Sequence, residues 1–177
     1  VGAEVSIGSL MANYLMHVLH VSPLAAGQMV SLYWGGAMLG RFIGAGLMRF
    51  VKPGVLLGCN AVVALCLVAL SATSQGEIAA YALIAVGLCN SIMFPTIFAL
   101  ALEDLGPRKP EGSALLCMAI VGGALIPVLT GGVADFWGIA ASLAIPALCY
   151  AAIALYGAFT ARTKIADVKA GFVAAGH

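Results

Sequence analysis

The chain has 177 residues, 63% of them hydrophobic and 8% charged, and its mean hydropathy is +1.09. Soluble domains carry about one quarter charged residues, so an ordinary soluble domain is excluded. Eight basic and seven acidic residues leave a net charge of +1, with no basic patch for nucleic acid and no charged tail.

A membrane span takes about 20 apolar residues, so this length has room for six or so spans and no separate soluble domain. Glycine, proline and charge clusters divide the chain into six apolar segments, at roughly 1–19, 26–50, 54–73, 78–103, 112–134 and 139–161. The predicted fold is therefore an all-α membrane protein of six transmembrane helices over residues 1–162, with a tail at 163–177. Position 1 is valine, and no basic n-region precedes the apolar run. The chain is thus expected to be a fragment, its first helix cut short.

Segment one carries Glu4, Ser6, Ser9 and Asn13. An ionised group at mid-bilayer costs about 2.5–3.5 kcal/mol on insertion scales, which makes Glu4 a functional candidate. Were the span to begin a turn upstream, Glu4 would be a buried carboxyl able to take and release a proton. Ser6, Ser9 and Asn13 share one helical face by their spacing. Glu4 lies about 180° from Asn13 on an ideal helix, so the two line one path only if the helix breaks near Gly8-Ser9.

Segment two holds Gly36, Gly40 and Gly44 at four-residue steps, a stripe for close helix packing. Arg41 stands about 16 Å up the helix from Lys52, too deep to reach water easily, and needs an acidic partner or a gating role. Tyr33 and Trp34 near the outer end suit an aromatic belt or a stacking face. Segment four carries Asn90, Ser91 and Thr96 around Pro95, with Phe94 a further available aromatic, while segments three and six have few comparable polar groups. Gly122-Gly123 and Pro127 in segment five mark a helix that packs closely and bends.

Arg49 and Lys52 follow segment two, Arg108 and Lys109 follow segment four, and Arg162, Lys164 and Lys169 follow segment six. The other connections contain no lysine or arginine, so the positive-inside rule puts the C-terminus in the cytoplasm. The cysteines Cys59, Cys66, Cys89, Cys117 and Cys149 lie in apolar runs and read as packing residues, so neither a metal nor a cofactor is expected. His17 and His20 share one helix end, which suits neither haem ligation nor a serine-protease base.

Four stretches, Gly2-Ala3-Glu4-Val5-Ser6-Ile7-Gly8-Ser9, Gly40-Arg41-Phe42-Ile43-Gly44, Asn90 through Phe98 and Gly112 through Gly123, resemble the C-terminal half of the fucose/glucose/galactose permeases, a bacterial branch of the major facilitator superfamily. That resemblance implies half of a twelve-helix inner-membrane fold, made of two inverted three-helix repeats, that carries a monosaccharide with a proton by alternating access. It places Glu4 and Asn90 near the sugar pathway, with Asn13 a further candidate, and implies as partners the sugar, the proton, the bilayer and an N-terminal six-helix half that holds the proton-carrying carboxylates. A self-contained six-span protein acting as a homodimeric carrier or a scaffold is the competing reading.

Overall fold

A computed structural model describes the backbone of residues 1–174 and the side chains of residues 1–162. Lys164 and Lys169 lie outside the described side chains. The described chain is helical: α1 Gly2–Leu19, α2 Pro23–Leu47, α3 Pro53–Thr73, α4 Gly76–Asn90, α5 Met93–Leu102, α6 Lys109–Ala119, α7 Gly122–Trp137, α8 Ile139–Ser142 and α9 Ala144–Ala174. A short 3₁₀ turn at Gly106–Arg108 precedes α6.

Local chemistry sets the ends of these elements. Ser22 accepts a hydrogen bond from the Ala25 amide at 3.3 Å, and Pro23 follows it at the first helical position of α2, where no amide donor is needed. Pro53 opens α3 in the same way. Gly138 ends α7 at φ 91°, a backbone shape that side chains rarely tolerate.

Four stretches among the described residues are long and apolar enough to cross a membrane: Pro53–Thr73, Gly76–Leu102, Gly106–Trp137 and Ile139–Arg162. The expected first two segments fold as helices but are not among them. Their composition explains this, because α1 carries Glu4, Ser6, Ser9, Asn13 and His17, and α2 carries Gln28, Arg41 and repeated glycines. Three of the four apolar stretches are interrupted, at Ser91-Ile92, at Ile120-Val121 and at Leu143. The first break has a simple cause: Pro95, in the opening turn of α5, has no amide to offer the Ser91 carbonyl. In the second apolar stretch to be interrupted, the helix gives way just before Gly122-Gly123, whereas Pro127 stays inside α7.

Helix α1 touches α2, α4, α7 and α9. With no hydrophobic drive between helices in lipid, close approach depends on small residues. Gly36 faces Leu88, a side chain at Gly40 would run into the Leu88 carbonyl and Ser91, and one at Gly44 would run into Ile92, so the stripe on α2 seats the end of α4 and the break. Gly87 lies in turn against the Tyr33 carbonyl. Gly2 packs on Gly122 and Ile126, and Gly123 on Val1, joining α1 to α7. A third seam, not apparent from the sequence, brings Gly157 of α9 onto Gly54 and Gly58 of α3.

Overpacking such a contact costs about 1–3 kcal/mol, and each kcal/mol moves the melting midpoint by about 2–4 °C in proteins of this size class. Gly87→Ala and Gly157→Ala are therefore expected to lower the thermal midpoint of the detergent-purified protein, whereas Gly35→Ala, whose surroundings are open, leaves it unchanged. Equal midpoints for all three would contradict the close-packing account.

Candidate functional site

A phenol or amide inside an apolar bundle has no water to bond, so its partners must come from the protein. Asn90, the last residue of α4, is 4% exposed, and Tyr33 and Tyr150 beside it are 0% exposed. The Asn90 Nδ2 amide donates to the Tyr33 hydroxyl at 2.8 Å, and the Tyr150 hydroxyl donates to Asn90 Oδ1 at 2.7 Å. The Tyr33 hydroxyl in turn donates to the Glu4 carbonyl oxygen at 3.0 Å. One continuous chain of hydrogen bonds thus ties α1, α2, α4 and α9 together immediately before the break at Ser91-Ile92.

A second polar knot lies nearer the other end. The Tyr14 hydroxyl donates to the Ser71 carbonyl at 2.8 Å, and the Ser71 hydroxyl donates to the Ala79 carbonyl at 2.8 Å. It pins α1, α3 and the start of α4. Beyond it, His17, His20, Ser71 and Gln75 line a polar cavity of about 410 Å³.

The face shared by Ser6, Ser9 and Asn13 is covered at one end and open along the rest. Ser6 is buried and bonds the Gly2 carbonyl at 2.7 Å. Ser9, Asn13 and His17, four residues apart, are exposed in a row on the outside of the bundle. Helix α1 is unbroken from Gly2 to Leu19, so the condition for Glu4 and Asn13 to line one path, a break near Gly8-Ser9, is not met. Glu4 belongs instead to the side toward α2, half-buried and within electrostatic reach of Arg41 but without a closed salt bridge to it. Arg41 itself is exposed, next to Phe42 and Ile43 on the outside of α2.

Phe94 is half-buried and packs on Phe98, the ring centroids 5.9 Å apart. Trp34 meets Tyr33 edge to face at 5.2 Å and covers Gly8. Thr96 is buried, and its hydroxyl has no hydrogen-bond partner among the described residues. The expectation that segment six brings few polar groups misses Tyr150. A tyrosine in the middle of an apolar span was the available signal, since its hydroxyl must find a partner there.

A membrane-embedded helical bundle with interrupted helices and a polar row on α1 is the kind of architecture that secondary transporters use. No protein-family model matches the chain. It is 48% identical over 159 residues to a glucose/galactose transporter of Brucella abortus, covering 89% of this chain and 39% of that protein. It is 33% identical over 171 residues to the L-fucose-proton symporter of Escherichia coli, covering 92% of this chain and 38% of that one. Among solved structures, that of FucP, a major facilitator superfamily transporter in the outward conformation, superimposes with a TM-score of 0.87 at 30% identity, covering 90% of this chain and 39% of FucP. The chain thus spans about two fifths of the length of the relatives it matches, at 38–39% of each. Over about nine tenths of its length it is similar to these sugar transporters, it shares the fold of a major facilitator superfamily transporter, and it is a multi-pass membrane protein.

In membranes, buried polar contacts measure about 0.6 kcal/mol on average and up to about 1.7. Tyr150→Phe is expected to cost a loss of that size. Asn90→Ala removes both of the amide's bonds and strands the Tyr150 hydroxyl, while Tyr33 keeps its bond to the Glu4 carbonyl, and is expected to cost more, about 1–3 kcal/mol for the group left unsatisfied. Thermal unfolding of the full-length protein checks this order, and a midpoint for Asn90→Ala at or above that of Tyr150→Phe would contradict it.

Proposed function

We propose that this chain is the C-terminal half of a bacterial inner-membrane carrier that takes up a monosaccharide, L-fucose, glucose or galactose, in symport with a proton. Six spans, arranged as two inverted three-helix repeats, would pair with an N-terminal half and rock against it. The carrier would be a transporter rather than an enzyme, as its relatives are.

The observation that carries the reading is the exposed row of Ser9, Asn13 and His17 on α1. Lipid offers such groups no partner, so a polar row at membrane depth belongs against a water-filled path or the other half of the protein. Sugar hydroxyls demand such donors and acceptors. Asn13 is the amide on that row, Phe94 offers a ring for the sugar face, and Glu4 and Arg41 are charged candidates for gating, not closed into a salt bridge. Both ends of the Asn90 amide are bonded inside the bundle, so its part in sugar handling is to hold Tyr33 and the Glu4 backbone in place.

Alternating basic turns support a cytoplasmic C-terminus and a cytoplasmic start for the chain. In a background without other cysteines, Ser74→Cys and Pro107→Cys are expected to react with an impermeant thiol reagent from opposite sides of the membrane. Reaction of both from the same side would contradict this orientation.

The transport reading is tested by uptake of labelled L-fucose, glucose and galactose into vesicles carrying the full-length protein under an imposed pH gradient. One sugar is expected to accumulate, to be lost with a protonophore, and to fall at least roughly tenfold with Glu4→Gln or Asn90→Ala, a change equivalent to about 1.4 kcal/mol. No uptake of any of the three sugars would contradict it.

A further inference from the structure

Helices α3 and α9 meet through Gly54, Gly58 and Gly157, and the small residues that let them touch leave a groove of about 470 Å³ on the outside of the bundle. Its walls are apolar, with Val55, Val62, Val63, Ala154 and Ala158 among the lining side chains. Val55, Val62 and Val63 are exposed. In a membrane this surface is met by hydrocarbon.

The groove's length and charge narrow what fits it. From Gly54 to Val63 it follows α3 for about 14 Å, close to half of the ~30 Å hydrocarbon core. That is the depth of one leaflet, whereas a partner helix would need the full thickness. At one end Gly54 lies against Thr160 and Ala161, so Lys52, just before α3, and Arg162, just after Ala161, stand at the same mouth. Both are exposed. The lining residues at the far end, around Val63 and Ala154, carry no charge. An apolar trough one leaflet deep with two cations at its mouth complements an amphiphile that has an anionic head.

We propose that the α3–α9 groove binds an anionic phospholipid of the bilayer, with one acyl chain along Gly54–Val63 and the phosphate held by Lys52 and Arg162. The Arg162 guanidinium can grip two phosphate oxygens at once, and Lys52 adds a mobile point charge. Juxtamembrane cations also draw anionic lipid to the bilayer surface. The site is independent of which solute the protein carries.

The test uses the full-length protein in detergent, incubated with dioleoylphosphatidylglycerol or dioleoylphosphatidylcholine and read by native mass spectrometry. The unmodified protein is expected to retain phosphatidylglycerol at least roughly tenfold better than phosphatidylcholine, the scale that two surface cations provide. The Lys52→Gln/Arg162→Gln double variant is expected to retain the two lipids equally. Val62→Phe, which fills the groove from an exposed position, is expected to lower retention of both. Each variant is compared as a single gel-filtration peak, and Lys52→Gln and Arg162→Gln are also measured singly, in case the double variant does not fold. Equal retention of both lipids by the unmodified protein would overturn the proposal, as would unchanged phosphatidylglycerol retention in the charge variants or in Val62→Phe.

Discussion

The hydrocarbon core of a bilayer supplies no hydrogen-bond partner, and that constraint is met here chiefly at one amide. Asn90 is engaged at both ends by Tyr33 and Tyr150, and Tyr33 passes the connection on to the backbone of Glu4. Elements far apart in sequence, α1, α2, α4 and α9, thereby acquire a common anchor. Because Asn90 closes α4 immediately before Ser91-Ile92, the interruption in that apolar stretch is flanked by a fixed point rather than by a slack turn.

The glycine contacts act on the same place. The stripe on α2 brings its backbone onto Leu88, Ser91 and Ile92, and Gly87 rests on the carbonyl of the very tyrosine that bonds Asn90. Packing and polarity are thus coupled: the tyrosine reaches the amide only because the two helices approach closely, and the close approach leaves no room for the amide to turn elsewhere. On the opposite side of α1 Ser9 bonds only the Ser6 carbonyl of its own helix, and Asn13 and His17 make no side-chain hydrogen bond among the described residues. The exposed Ser9, Asn13 and His17 give the bundle a face that lipid would not accept.

Much of this was legible in the sequence. Glycine, proline and charge clusters gave the turns, the i, i+4 glycines gave the α2 seam, and the polar residues of the first and fourth segments marked two of the four helices that the central network ties together. What stayed hidden depends on depth and partners. Tyr33 reads first as a belt residue until Asn90 is beside it, and Tyr150 has no distinguishing neighbour in its own segment. Gly157 lies about a hundred residues from Gly54 and Gly58 along the chain, and only the fold brings them into one seam. Hydropathy underrates α1 and α2 for a physical reason, since residues placed toward other protein or water need not be apolar.

The central claim is that the exposed face of α1 borders the path of the solute. Its most direct measurement is the reactivity of a single cysteine at position 13, Asn13→Cys in an otherwise cysteine-free full-length protein, toward an impermeant thiol reagent, with and without each of L-fucose, glucose and galactose. The account predicts that the cysteine is labelled and that one of the sugars slows the labelling. A cysteine that does not react, or that reacts at the same rate with every sugar present, would contradict it.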